Sequence, residues 1–361
     1  MKITQVSAQV VDVGQGFSWG NRRDMKVFGV FVSIETDSGH VGHALAGTSD
    51  LPAASVVSAI EHAVTPHLLG GNPFDRPQLL APAWRAFRVG MPLPAIGVVD
   101  VALWDLAGKA SGCSVTELLG RRQGRLMGCA SAPPVGSADE CADMVKELQA
   151  SGFNAIKLHS CGDVNIDIAA CRAARSAGGD GLHLMMDAMA IYRRDETLRL
   201  GRALDDCDFV WFEDPLADDD LDGWVELRQR IDTPLAGVDA VRFTTRDYAR
   251  PMADGAFDIV RMDAARDGIS QLDALGRLAD AFGLGCEGHA FGPVFAQSAN
   301  LQVALAGNGA RYCELPVPIG ALDLGVVNGL RLDDDGYVVA PEGPGLGLEV
   351  DRAALAAAVV R

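Results

Sequence analysis

No two of the eight cysteines form a CxxC pair; they stand singly at 113, 129, 141, 161, 171, 207, 286 and 313. Thiols scattered in this way argue against a disulfide frame or a thiolate zinc site and imply reduced, buried cysteines of a cytoplasmic protein. No apolar run reaches the ~18 residues needed to span a bilayer. The first residues, MKITQVSAQVVDV, lack the basic start and long apolar stretch of a signal peptide and alternate as a strand does. Basic residues are scarce: 31 Lys and Arg against 48 Asp and Glu give a net charge of −17. Such a surface repels nucleic acid and anionic membrane, which excludes both as partners. It does not exclude an anionic small molecule, because a bound cation and a few basic residues reverse the field locally. What is present is a hydrophobic fraction of 48% in 361 residues, enough for a large core and more than one domain.

Along the chain the pattern changes twice. Residues 1 to about 60 read as strands (KITQVSAQVVDV, VFGVFVSIETDSG, HVGHALAG), with Asp37, Ser38 and Gly39 as turn residues. The stretch GQGFSWGNRRDM between Val13 and Lys26 has three glycines, two arginines and no apolar period, and reads as a mobile loop. Helices are expected from Ala53 to Leu69 and from Pro94 to Ala110, where Val98, Ala102, Leu103, Leu106 and Ala107 recur at helical spacing. From about residue 125 strand and helix alternate, the pattern of a parallel sheet. After about residue 322 the alternation stops, and the tail ends in a short Ala-rich helix.

A repeat of form runs through the alternating region. Six apolar runs (LHLMMD, FVWFED, PLAGVD, FDIVRMD, GLGCEGH and RYCE) each end in an ionisable residue: Asp187, Glu213, Asp239, Asp263, His289 and Glu314. Their spacing of 24 to 26 residues suits a strand, a helix and two connections. NAIKLHS adds Lys157 and His159, two apart and so on one side of a further strand. In a (β/α)₈ barrel the active site gathers at the C-terminal strand ends, and successive strands each supply a residue. Any one of these residues is equally well a strand turning polar where it meets solvent; the series is what points to a site.

Three converged carboxylates, Asp187, Glu213 and Asp239, repel one another unless a cation lies between them. Oxygen ligands alone select a hard ion, most simply Mg²⁺. Each acid taken singly also serves as a loop cap or ion-pair partner. Asp263 and His289 end adjacent strands, ~4.8 Å apart. An Asp that accepts from one imidazole nitrogen fixes the tautomer and raises the basicity of the other, which makes His289 a general base or acid; otherwise it is a histidine satisfied locally. Lys157, close to a metal and another cation, is expected to have a lowered pKa and to act as a base or bind a carboxylate; with His159 it otherwise forms a solvated rim pair. Glu314, if protonated, donates to a substrate carboxylate, and otherwise is a structural acid. Together the parts describe removal of a proton next to a carboxylate.

The order KxH, Asp, Glu, Asp, Asp, His and Glu, with the segments ALWDLAGKASGCSVTELLG, GFNAIKLH, WFEDPL, PLAGVD and EGHAFG, resembles the enolase superfamily in its mandelate racemase branch. The resemblance spans nearly the whole chain. It implies a modified TIM barrel with an N-terminal α+β capping domain completed by the C-terminal tail: residues 1–125, 126–322 and 323–361. It implies Mg²⁺ held by Asp187, Glu213 and Asp239, a catalytic pair Asp263–His289, Glu314 bonded to the substrate carboxylate, and a homo-oligomer. Residues 14–26 match the family's specificity loop. There Arg22 and Arg23 either hold distal substrate groups as arginine forks do or are solvated, and Trp19 either covers the ligand or anchors the loop. The chain departs from the pattern twice. His159 stands where a second lysine is usual, and Asp239 is one methylene shorter than the usual Glu.

Three functions compete. The first is a lyase, an acid-sugar dehydratase yielding a 2-keto-3-deoxy acid. The second is a racemase or epimerase of a hydroxy or amino acid. The third, of another class, is a binding barrel without catalysis.

Overall fold

The computed structural model describes residues 1–19, 22–47, 52–237, 244–290, 292–307 and 309–360, with backbone alone for 15–19 and 22–26. Strands β1 (Ile3–Trp19), β2 (Arg22–Thr36) and β3 (Val41–Gly47) form an antiparallel sheet in the order β1-β2-β3. The stretch expected to be a mobile loop is therefore largely strand. Gly16 pairs with Lys26, Phe17 with Met25 and Trp19 with Arg22, with register shifts between Asp12 and Gly16 and between Phe17 and Trp19. Glycines and charges hid the strand from a pattern reading; its backbone bonds come from the partner strand.

The sheet lies on the helix Leu93–Ser111, which is apolar almost all round and almost wholly buried. Helices of that kind sit inside a protein. Two glycines allow the close approach. A Cβ at Gly42 would lie 2.1 Å from the Ala102 carbonyl oxygen, and one at Gly97 would lie 2.3 Å from that of Arg266. The second contact sets the cap against the mouth of the barrel. The expected helix from Ala53 to Leu69 is helical from Ala53 to Leu68, with a π turn at Ile60–Val64. A further helix, Arg76–Phe87, was not foreseen.

Eight parallel strands follow: β4 (Arg125–Ser131), β5 (Ala155–His159), β6 (His183–Asp187), β7 (Trp211–Glu213), β8 (Leu235–Gly237), β9 (Ile259–Met262), β10 (Gly285–Gly288) and β11 (Tyr312–Pro316). They pair in sequence from β4 to β10, and β11 pairs with the other edge of β4. This is a nearly closed barrel. At the seam between β10 and β11 no ladder forms among the described residues. Instead the buried Glu287 side chain accepts the backbone N–H groups of Arg311 (3.0 Å) and Tyr312 (3.2 Å). Burial pushes the Glu287 carboxyl up to about 7 against those bonds. The barrel interior is plugged by Cys129, Ala155, Met185, Trp211, Ala236, Ile259 and Tyr312, the layered filling such barrels use.

The tail runs back over the cap. A short strand β12 (Tyr337–Val339) joins β4 antiparallel. Further on, the Leu346 N–H reaches Asp105 Oδ1 at 2.9 Å, and the Val360 N–H reaches the Val10 carbonyl at 2.9 Å. Among the described residues no helix is long and apolar enough to cross a membrane.

Candidate active site

The ionisable residues of the barrel strands converge one layer above the apolar plug. Lys157 is fully buried on β5, in register with Met185 of β6. Its ammonium lies 2.9 Å from Glu213 Oε1, 3.0 Å from Glu314 Oε1 and 3.3 Å from Asp187 Oδ2. Burial alone would favour the neutral amine; Glu213 and Glu314 overturn it and hold Lys157 above the ordinary lysine range. With no ion beside it, the three carboxylates outweigh the one cation, Arg261, in setting the direction.

Arg261 is the residue the sequence reading missed. It lies on β9, two positions before Asp263, and is 1% exposed. Nε donates to Glu213 Oε1 at 3.0 Å, one terminal nitrogen to the Gly288 carbonyl at 3.1 Å and the other to Glu314 Oε2. An arginine inside the apolar run FDIVRMD, on the same strand side as a buried lysine's partners, was the available signal. Glu314 also accepts from Ser131 Oγ at 2.8 Å, and Trp211 Nε1 donates to Glu213 Oε2 at 3.0 Å. Burial opposes ionisation of Glu314, but Lys157 and then Arg261 hold its carboxyl well below the usual range. These neighbours favour its ionised form, the structural acid of the two alternatives, in the absence of bound ion and substrate. It also sits in the middle of β11, not at its end.

Asp187 closes β6. Burial would raise its pKa, yet Lys157, His159 and the Met189 N–H (2.8 Å) hold it well below the carboxylate range. The backbone beyond each of these acids is strained. Met189 and Ala190 have φ of 51° and 56°, and Asp214, next to Glu213, has φ of 39°, values side-chain-bearing residues rarely adopt. The Ala188 N–H bonds the Glu213 carbonyl (2.9 Å) and the Ala190 N–H that of Asp214 (2.8 Å), which ties the two strand ends together.

His159 Nδ1 lies 2.6 Å from the Ala132 carbonyl, and Nε2 lies 3.4 Å from Asp187 Oδ2. A carbonyl only accepts, so Nδ1 carries hydrogen and Nε2 is the nitrogen turned to the acids. Just past the ends of β9 and β10, His289 Nδ1 stands 3.5 Å from Asp263 Oδ2. Asp263 Oδ1 accepts the Ala265 N–H (2.9 Å) and thereby caps the turn Ala264–Asp267. His159 and His289 are on strands with β4 and β11 between them one way around and β6 to β9 the other.

The acids of this donor set face cations of the chain itself. Asp187, Glu213 and Glu314 already close on an ammonium, the group that stands where positive charge must be. Carboxylate oxygens suit Mg²⁺. Among the described residues no three His, Cys, Asp or Glu side chains hold an ion by themselves. Asp239 lies outside the described residues, as do the side chains of Trp19, Arg22 and Arg23.

Comparison with known proteins gives this arrangement a setting. Residues 16–120 match the N-terminal domain of mandelate racemase / muconate lactonizing enzyme, and residues 140–354 match the enolase C-terminal domain-like family. D-galactarolactone cycloisomerase of Agrobacterium fabrum is 29% identical over 98% of both chains. Arabinonate dehydratase of Saccharolobus solfataricus is 28% identical over 89% of this chain and 88% of its own. The crystal structure of D-glucarate dehydratase from Agrobacterium tumefaciens, complexed with magnesium, is 27% identical and superposes with a TM-score of 0.90 over 100% of both chains. With two domain models matched across most of its length and a barrel mouth of paired acids and bases, the chain is an enzyme of the enolase superfamily, in its mandelate racemase branch.

Proposed function

We propose that the enzyme removes the α-proton of a carboxylate substrate with Mg²⁺ bound, and that it dehydrates an acid sugar to a 2-keto-3-deoxy acid. The observation that carries this reading is the Asp263–His289 pair, 3.5 Å apart, on the same barrel rim as Asp187 and Glu213. Asp187, Glu213 and Asp239 would hold the ion, whose positive charge lowers the cost of charge building on the substrate carboxylate. Lys157, fixed as an ammonium among acids, is suited to holding negative charge rather than taking a proton. His159, with hydrogen on Nδ1, keeps Nε2 for the α-proton. His289, with Nδ1 turned to Asp263, keeps Nε2 to protonate the departing β-hydroxyl, which leaves as water. The C–H and C–O bonds break, and the resulting enol passes to the ketone.

A racemase or epimerase is the second reading, favoured by the two imidazoles borne by well-separated strands of one rim. Enzyme, Mg²⁺ and a panel of acid sugars in D₂O separate the readings. A keto product with loss of water supports dehydration. Deuterium at the α-carbon without loss supports racemisation. Absence of exchange with every acid favours a binding barrel. His289→Asn is expected to lower dehydration at least about 100-fold with Mg²⁺ affinity unchanged; retained turnover would remove His289 from the chemistry.

A further inference from the structure

Asn300 lies on the helix Val294–Ala306 that follows β10, and it is 4% exposed. Its side-chain amide is saturated by the catalytic pair's own neighbourhood. Nδ2 donates to Asp263 Oδ1 (3.0 Å) and to the His289 carbonyl (2.6 Å), and Oδ1 accepts the Ala264 N–H (2.8 Å). The orientation is unambiguous: reversed, the amide would set oxygen against the Asp263 carboxylate and the His289 carbonyl, and N–H against N–H.

We propose that Asn300 is the positioning residue of the Asp263–His289 pair, an inference that rests on that pair being the acid/base group argued above. Two features give the amide this role. First, it decides which Asp263 oxygen faces the imidazole. Oδ1 is taken by Asn300 and by the Ala265 N–H, which leaves Oδ2 toward His289 Nδ1. Second, it extends the link between two strands past the end of their ladder. The last ladder pair is Gly288 with Met262, and the His289 N–H then reaches the Met262 carbonyl at 2.9 Å. Asn300 joins the next residues, Asp263 and Ala264 on one side and His289 on the other. The helix comes close enough because residue 288 is glycine: a Cβ there would lie 3.3 Å from Asn300 Cβ, tighter than an unstrained contact.

The outer side of Asn300 borders a cavity of about 250 Å³, lined also by Leu272, Gly276, Cys286, Val303 and Ala304. That volume admits a small amide. Removal of the side chain is therefore expected to be repaired by acetamide added to the solution, as a group supplied from outside replaces the missing donor and acceptor.

The test is carried out on the full chain with Mg²⁺ and ¹⁵N-labelled histidine, following the ring nitrogens of His289, assigned through His289→Gln, at a pH where the ring is neutral. In the unsubstituted protein the hydrogen is expected on Nδ1. In N300A the preference for that tautomer is expected to fall about fivefold, the equivalent of one lost hydrogen bond, and to return with acetamide. The His43 signal, in the cap, reports that the fold is intact; if N300A does not fold, N300S is measured in its place. A His289 tautomer unchanged in a folded variant overturns the proposal, as does a change that acetamide leaves in place. A tautomer that responds while no acid exchanges deuterium would uphold the positioning role and remove the proposed chemistry, so the two readings fail separately.

Discussion

Acids buried at the barrel mouth and acids buried in the cap and seam respond to burial in opposite ways. Asp187 and Glu314 are held below the carboxylate range, whereas Asp100 and Asp105 of the cap helix and Glu287 of the barrel seam are raised. Burial is the largest influence on all five. At the mouth it is overcome by whole charges: Lys157 against both acids, with Arg261 also on Glu314. At the cap and seam fewer whole charges oppose it, with Lys109 2.6 Å from Asp105 and Arg311 3.8 Å from Glu287, and neutral donors fill many of the remaining acceptor sites. Asp100 accepts from Ser270 N–H (2.8 Å) and Oγ (2.6 Å), and Asp105 from the His43 and Leu346 N–H groups, with Lys109 its one charged partner. Dipoles satisfy a carboxylate's oxygens without repaying the cost of bringing its charge out of water. The site thus keeps its acids charged beside cations of the chain itself, while the junction uses acids as many-handed acceptors between segments distant in sequence.

The comparison is broken most forcefully at Lys157. Lys157→Met leaves Asp187, Glu213 and Glu314 short of their shared cation, and metal-free stability is expected to fall by about 3–5 kcal/mol. Denaturant unfolding with and without Mg²⁺ checks this: the loss should shrink when the ion is present, and an equal loss in both conditions would separate the ammonium from the ion's place. Next in size, Glu213→Gln is expected to weaken Mg²⁺ binding at least about 100-fold, a little beyond what loss of an outer partner costs; calorimetry giving an unchanged affinity would remove Glu213 from the ligands.

The smallest effect lies at the seam. Glu287 has its folded pKa raised to about 7, so the folded protein binds the proton more tightly than the unfolded chain does. Its contribution to stability is full below about pH 4.5 and is lost as pH rises through 7. The linkage ceiling is about 3 kcal/mol, and relaxation around the acid should bring the observed change nearer about 1–2 kcal/mol. Glu287→Gln should flatten stability between pH 5 and 8, and a slope equal to that of the unsubstituted protein would show that the seam acid is not the group titrating.

The alternation of strand and helix and the acids at strand ends were legible because a strand leaving the barrel interior turns polar where its backbone meets the mouth. Asp187, Glu213, Asp263 and His289 stand at or just past such ends. Arg261 and Glu314 were harder to read because they lie within strands, where an apolar run is expected and a charge survives only by pairing with another strand's charge. That pairing is a property of the closed barrel, invisible in either segment. The direction of Lys157's shift was hidden for the same reason, because it depends on how many acids and cations meet it. β4 gave no ionisable end residue, and Ser131 passed unnoticed. Asn300 looked like one more polar residue in VFAQSANLQVALA, a helix whose polar positions face inward. The strands over residues 14–19 and 22–26 follow from strand pairing that overrides weak local propensity.

The bond from Leu346 to Asp105 spans 241 residues. A chain emerging from the ribosome presents the cap's sheet and its long helix first, yet Asp105 waits for that backbone N–H until the whole barrel has been made. The part synthesised earliest is completed last. A pause or break in translation beyond β11 would therefore leave the barrel short only of the β12 strand on β4, and the cap with an acid buried before its acceptor sites are filled.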